Sequence, residues 1–411
     1  IWVASGYYTP GNSVTDSFRL KNGVEMYGGF EGQEASPSLR PPPSLLNQTI
    51  LSGDLQENDV IGNETTLGDN SYHVVTADGI SSNTLLDRFT IRDGYAVGTG
   101  LNVHGAGMLI LNGAAPVVRG CTLLHNIAAA EGGAVHVAGA STPVFESCWF
   151  QANSALAGAA LDSVGSAVVV ENSLLSGNAG FAGAVMSRSG SSDLYVNCTI
   201  AGNSGGAVDT VNASPTFENS IVFGNIYNDS QGLLPSWQHS LVQDSGGADW
   251  NGGAGKDLEG NLDADPLFLN PLTDEASPTV EGDYRLRPGS PAINNGLNTL
   301  VNVSHDLAGA TRIVDVTVDM GAYEGGFARD FAYLFPELAA GGDFNGNGRS
   351  NFFDYSEGYD PTQPVPLPSS GMFEEGTRVV RFSVRTDADD VRLWLEGSPN
   401  MTPGSWQGLD Y

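Results

Sequence analysis

Residues 116–126 read Pro-Val-Val-Arg-Gly-Cys-Thr-Leu-Leu-His-Asn, and residues 143–153 read Pro-Val-Phe-Glu-Ser-Cys-Trp-Phe-Gln-Ala-Asn. The same frame returns at 168–178, 193–203 and 215–225. The closing asparagines, Asn126, Asn153, Asn178, Asn203 and Asn225, stand 27, 25, 25 and 22 residues apart. Five residues before each lies a small side chain: Cys121, Cys148, Ser173, Cys198 or Ser220. Three before lies an apolar one: Leu123, Phe150, Leu175, Ile200 or Val222. Eight before lies Val118, Phe145, Val170, Tyr195 or Phe217. Apolar positions two apart on either side of a corner are strand alternation, not a helical repeat. A period of this size built from short strands marks a solenoid. Each unit is one coil of a parallel β-helix, and a coil buries its apolar face only by stacking on the next. Stacking sets like on like, so the asparagines are expected to form an internal amide ladder. The cysteines and serines are expected to form a small-residue stack beside a corner.

Composition agrees. The chain has 411 residues, 54 of them glycine, as a turn-dense all-β chain requires. Its net charge of −30 repels nucleic acid and anionic membrane and attracts cations, and it suits an extracellular medium. Only three cysteines are present, and no Cys-x-x-Cys or Cys/His spacing for zinc. Cys121 and Cys148 fall on neighbouring coils about 4.8 Å apart, so either a bridge or a stack of free thiols is open to them. No segment is long and apolar enough to span a membrane. The chain opens on Ile1-Trp2-Val3, which reads as mid-strand, so a leader is expected to be missing.

Before the regular repeat, strand-like pieces fall at 1–4, 18–20, 24–27, 49–51, 73–76 and 85–91, with a proline-rich excursion at 31–44. Residues 86–94 align with 118–126, so the ladder is expected to begin near Phe89. After Asn225 a strand is expected at 240–243, followed by a Gly/Asp-rich excursion at 244–260. Then come Asp263-Ala-Asp-Pro-Leu-Phe-Leu-Asn-Pro, Tyr284-Arg-Leu-Arg-Pro-Gly-Ser-Pro-Ala-Ile-Asn and Val318-Asp-Met-Gly-Ala-Tyr-Glu. With the opening Trp2-Val-Ala and Gly23-Val-Glu-Met-Tyr-Gly-Gly-Phe, this order resembles the bacterial secreted choice-of-anchor Q domain proteins, within the pectin-lyase-like right-handed β-helices. The resemblance spans about residues 1–325. It implies a right-handed parallel β-helix and an extracellular, cell-surface life, and it implies no reaction.

The expected organisation is therefore all-β: a right-handed parallel β-helix over 1–325, a short helix and calcium loop over 326–361, a proline-rich linker over 362–370 and a partial β module over 371–411. The short helix is placed at 327–340, ending at Pro336. In the second segment Asp343, Asn345, Asn347, Arg349, Asn351 and Asp354 occupy positions 1, 3, 5, 7, 9 and 12 of an EF-hand-type loop, with Gly348 at 6. A hard cation needs six or more converging oxygens, and this spacing supplies side-chain oxygens plus the Arg349 carbonyl. Ca2+ is the expected ion, bound weakly because Asn stands at positions 3 and 5 and Asp closes the loop. The loop resembles thrombospondin type 3 and dockerin repeats. The stretches 379–385 and 391–395 read as strands of the last module.

Outward columns decide whether there is a lateral site. Seven residues before each asparagine stand Arg119, Glu146, Glu171, Val196 and Glu218. Glu146 and Glu171 are read either as a solvated ladder or as a cation or coupled-acid site. Three residues past the small pairs stand Ile110, His136, Leu161, Met186 and Asp209, with Glu131, Asp162 and Arg188 as further participants that no spacing unites. Trp149, Leu174 and Ile221, and Leu161 with Met186, form apolar strips expected to be covered by the C-terminal module, a partner subunit or sugar rings. No catalytic residue is assigned. The chemistry favours a structural or adhesive surface protein, one able to self-assemble through its coil ends or C-terminal module. The alternatives are a carbohydrate-active enzyme and a glycan-binding module.

Overall fold

The computed structural model describes residues 1–41, 48–60, 63–225, 230–231, 234–272, 277–314 and 316–325, and shorter pieces at 338–339, 341–346, 350–351, 354, 362, 372–374, 377–379, 396–397 and 407–408. Internal contacts divide the chain into Ile1–Gly326 and Phe327–Tyr411.

In the first unit three short strands make one turn. In the coil that contains Asn126 they are Met108–Leu111, Val117–Arg119 and Thr122–Leu124. Each pairs in parallel with its counterpart one coil on: Val135–Ala138, Val144–Glu146 and Trp149–Gln151. Repetition builds a ten-stranded sheet A (the Val117–Arg119 column), a nine-stranded sheet B (Thr122–Leu124) and an eight-stranded sheet C (Met108–Leu111). The turn from A to B is two residues, and its first takes left-handed φ at Gly120, Ser147, Asn172, Asn197, Asn219 and His239. Asparagine and glycine tolerate that conformation best, which accounts for much of this column.

The interior bears out the repeat. Val118, Phe145, Val170, Tyr195 and Phe217 are fully buried, and Tyr195, Phe217 and Trp237 stack with centroids 4.6 and 4.4 Å apart. The asparagine ladder is present: Asn126 Nδ2 donates to Asn153 Oδ1 (3.0 Å), Asn153 to Asn178, Asn178 to Asn203 and Asn203 to Asn225 (2.9 Å each). Each receiving oxygen also accepts the backbone N–H of the preceding asparagine. Gly94 stands at the ladder position one coil earlier, and its N–H donates to Asn126 Oδ1 (3.0 Å). The three cysteines are buried free thiols. Burial pushes the Cys121 and Cys198 thiols up to about 12.

Several expectations shift. The stretch 85–91 is two strands, Leu85–Asp87 and Thr90–Arg92, because Arg88 makes the A–B corner at φ 62°. The excursion at 244–260 rejoins sheet A through Lys256–Asp257, which pairs with the strand Ser236–Gln238. Leu161 points inward, fully buried between Val135 and Val185, so it forms no outward strip with Met186.

The solenoid ends near Leu262, bridged to Leu241. The described residues of 263–325 add no coil; they cross the outside of sheet B and include an antiparallel pair, Phe268–Asn270 with Asp283–Leu286. Phe268, Tyr284, Leu286, Leu307 and Met320 cover Leu174, Ile221 and Leu241, with Trp149 at the margin. The cover of that apolar strip is thus the chain's own tail. Asn172, Asn197 and Asn219 hold it by donating to the carbonyls of His305, Asp319 and Leu297. Arg312, 1 % exposed, donates to the carbonyls of Asp319 and Gly321 and lies 3.5 Å from Glu324.

In the second unit, hairpin strands Met372–Glu374 and Thr377–Val379 pair, as do Glu396–Gly397 and Gln407–Gly408. Most of the expected helix over 327–340 and all of 380–395 lie outside the described residues.

Candidate functional site

Sheet C carries the most concentrated polar chemistry. Its outward column runs Leu109, His136, Asp162, Met186, Asp209. Counting three residues past the small pairs had put Ile110 and Leu161 in these places. The slip has a structural cause: Ala157-Gly158 aligns with Glu131-Gly132, as the Glu131–Ala157 bridge shows, and not with Gly132-Gly133. A one-residue slip exchanges the two faces of a strand, so it hid the neighbour of His136. Asp209 does stand three coils from His136, and the two make no dyad.

Five side chains from four successive coils close into a ring of contacts. His136 Nδ1 lies 2.6 Å from Asp162 Oδ2. Arg188 clasps Asp162 with Nε (2.9 Å) and Nη2 (2.8 Å), and reaches Glu131 Oε1 with Nη1 (3.1 Å). Glu131 Oε2 lies 2.7 Å from His104 Nδ1, and the His104 ring stacks on His136 with centroids 4.9 Å apart. Asp162 is fully buried, His136 nearly so, and His104, Glu131 and Arg188 are each about one-fifth exposed. Burial holds His104 below its ordinary pKa, with His136 adding to the effect. Burial works against the Arg188 cation, but Asp162 and Glu131 outweigh it and raise its pKa.

Glycine lets the ring form. Gly132 (φ 70°) and Gly158 (φ 56°) turn the chain into sheet C, and a Cβ on either would lie 2.9 Å from the Cβ of His136 or Asp162. His104 was missed in the sequence because its signal is positional. It precedes Gly105 as Glu131 precedes Gly132, one period earlier.

Toward the N-terminal coils the face opens into a cleft of about 450 Å3, lined by Arg19, Lys21, Ser17, Thr76 and Asn102 over Leu109. His73 also borders it, its ring nitrogens 3.0 Å from Gly105 O and 3.2 Å from Asn102 Oδ1.

The expected column on sheet A is in register: Arg119, Glu146, Glu171, Val196, Glu218. Arg119 is committed to Asp87 (2.6 Å), which Arg40 also meets (2.7 Å). Glu146 and Glu171 border a cleft of about 400 Å3 beneath residues 302–305, where Asn302 donates to Glu171 (2.9 Å). Burial raises the pKa of Glu146, Arg119 opposes it and Glu171 adds to it.

In the calcium-type loop, Asn345 Nδ2 donates to Asp354 Oδ2 (3.0 Å), which brings loop positions 3 and 12 together. Asn351 accepts from the Phe344 N–H (2.8 Å) and donates to Ala339 O (2.9 Å), so its amide braces the loop. Asp354 is buried and Asp343 exposed; Asn347 and Arg349 lie outside the described residues. That contact brings two of the expected ligand residues together through an amide N–H; among the described residues no three His, Cys, Asp or Glu side chains converge on a metal position.

Stacked parallel coils define a β-helix solenoid, here with a polar ring on one lateral face. A family model for the right-handed β-helix region matches residues 54–196 and 107–261, and the chain belongs to that family. No curated protein matches it. Among the described residues no helix is long and apolar enough to cross a membrane.

Proposed function

We propose that the chain is an extracellular β-helix protein that binds an extended glycan along the outer face of sheet C. The observation that supports this reading is the cleft beside the His104–His136 ring. Hydroxyls and an amide from Ser17, Thr76 and Asn102 suit sugar hydroxyls, and Leu109 offers apolar surface to a ring face. Arg19 and Lys21 against Asp78 leave the cleft one net positive charge on a strongly negative chain, so acidic sugars are favoured here. The face runs along the stack of coils, so the ligand is a chain and not a single sugar.

The test is calorimetric titration with a panel of acidic and neutral oligosaccharides. Arg19→Ala/Lys21→Ala is expected to weaken binding of an acidic oligosaccharide at least tenfold, and Glu218→Gln on sheet A is expected to leave it unchanged. Binding that survives the double substitution would rule out the cleft. Turnover of a bound glycan, abolished by His136→Ala, would make the protein a carbohydrate-active enzyme instead of a binding scaffold.

A structural Ca2+ in the Asp343–Asp354 loop completes the proposal, with Asp343, Asn345, Asn347, Asn351, Asp354 and the Arg349 carbonyl as its ligands. Calcium is expected to protect this segment from proteolysis and EDTA to expose it. Equal cleavage with and without calcium would remove the ion from the scheme.

A further inference from the structure

We propose that His73 and Asn102 make the sheet C cleft proton-sensitive: the Asn102 amide shows the cleft its oxygen while His73 is neutral, and its N–H donors once His73 is charged. The inference rests on the glycan reading only for what the bound ligand feels.

Both ring nitrogens of His73 face an oxygen. Nδ1 lies 3.0 Å from Gly105 O, and Nε2 lies 3.2 Å from Asn102 Oδ1. A neutral imidazole has one N–H and one lone pair, so it cannot donate to both. The Gly105 carbonyl is buried and can only accept, so Nδ1 carries a proton in either charge state. The change on titration therefore falls on Nε2. When His73 is charged, Nε2–H donates to Asn102 Oδ1, the orientation seen here. When His73 is neutral, Nε2 is a lone pair that requires a donor. An amide turned by half a revolution supplies one, because its nitrogen and oxygen occupy nearly the same shape. The main chain need not move: Asn102 N–H donates to Thr99 O (3.2 Å), and Asn102 O accepts from Gly98 N–H (2.9 Å). Asn102 lines the cleft, so whichever half of its amide is turned from His73 is offered to a ligand.

The surroundings set the direction. His73 is buried. The titratable groups about it are His104 and His136 on the following coils, and Arg19, Lys21 and Asp78 along the cleft. Burial holds its pKa below the ordinary 6.5, and the two histidines add to the effect. At neutral pH the cleft is therefore shown an amide oxygen, and in mild acid an amide N–H with a cation behind it. A uronic acid carboxylate is still ionised there and only accepts hydrogen bonds, so it should bind more tightly as the pH falls. A neutral sugar hydroxyl donates or accepts, so it should be indifferent to the turn. Linkage requires the reverse as well: a bound acidic sugar raises the pKa of His73 by the same factor.

The experiment uses the full chain. Nitrogen resonances of the His73 ring and the Asn102 side chain are followed from about pH 7.5 to about 5.5 without ligand. Nδ1 should stay protonated, Nε2 should gain a proton, and the Asn102 amide should shift with the same midpoint. In His73→Gln the Asn102 shift should vanish. Calorimetry then compares a uronic acid trisaccharide with its neutral counterpart. The acidic probe should gain about fivefold or more in affinity over this range, and the neutral one should not. His73→Gln should abolish the gain. Asn102→Ala should keep the His73 titration and lose most of the gain. Circular dichroism establishes that both variants fold. An Asn102 amide that ignores His73, a neutral His73 with its proton on Nε2, or a full gain in Asn102→Ala would overturn the proposal. Co-titration of the two residues with no binding of either trisaccharide would remove the glycan reading and leave the proton-driven turn standing.

Discussion

Replacing Asn178 by alanine tests whether the amide ladder holds the coils together. Asn178 is fully buried. Its Oδ1 accepts from the Asn153 backbone N–H (3.1 Å) and from Asn153 Nδ2 (2.9 Å). Its Nδ2 donates to the carbonyls of Phe150 (2.8 Å) and Ser176 (3.1 Å) and to Asn203 Oδ1 (2.9 Å). Asn153 Nδ2 keeps Leu123 O and Gln151 O after the substitution, and Asn203 Oδ1 keeps the residue 178 N–H. What is stranded is the Asn153 backbone N–H, and the Phe150 carbonyl loses its side-chain donor. Each buried group left unmatched costs about 1–3 kcal/mol, so the loss should be roughly 2–5 kcal/mol. Asn225, at the end of the ladder, is half-buried, and water can replace part of what it supplies. Its alanine variant should cost about 1–2 kcal/mol. Urea unfolding gives the global value. Hydrogen exchange at the Asn153 amide gives the local one, since a solenoid need not unfold in one step. A loss under about 0.5 kcal/mol for Asn178→Ala, or an equal loss at Asn225, would show that the ladder follows from coil stacking and does not support it.

Arg188→Met leaves the fully buried Asp162 carboxylate with His136 alone, and it should destabilise the fold by roughly 2–4 kcal/mol; calorimetric unfolding at equal pH checks this, and a change within experimental error would mean that the ring is a loose surface network. His73 contributes to the pH dependence, with His104 and His125 acting in the same sense: burial lowers its pKa from 6.5, so below that value the unfolded chain takes up a proton that the folded one refuses. Stability should be full above about 6.5 and fall as the pH drops through the folded value, and His73→Gln should flatten the slope between pH 7 and 5. The three buried thiols should resist iodoacetamide at pH 8 in the native state and react fully in urea, as a mass shift will show; native labelling of any one would mean that the coil corners open readily.

The coil repeat was legible because a solenoid converts sequence period directly into spatial neighbours. Asparagines 22 to 27 residues apart must meet once the coils stack, and they do. The column Arg119, Glu146, Glu171, Val196, Glu218 was readable for the same reason: it is counted from an asparagine only seven residues away, across a corner of constant length. The turn into sheet C varies in length. His136 to Asp162 is 26 residues and Asp162 to Met186 is 24, so a fixed offset fails there and the ring partners of His136 stayed scattered along the sequence.

Sequence periodicity by itself determined the fold class, the ladder, the thiol column and the inward aromatics, because each is a nearest-neighbour consequence of stacking. The tertiary structure alone decided two things. One is that residues 263–325 fold back over sheet B, so the apolar strip from Leu174 to Leu241 lies under the chain's own tail. The other is that Arg188 reaches across two coils to join Asp162 and Glu131, and so sets His104 beside His136. Both depend on long-range approach and side-chain reach, and neither quantity leaves a periodic trace in the sequence.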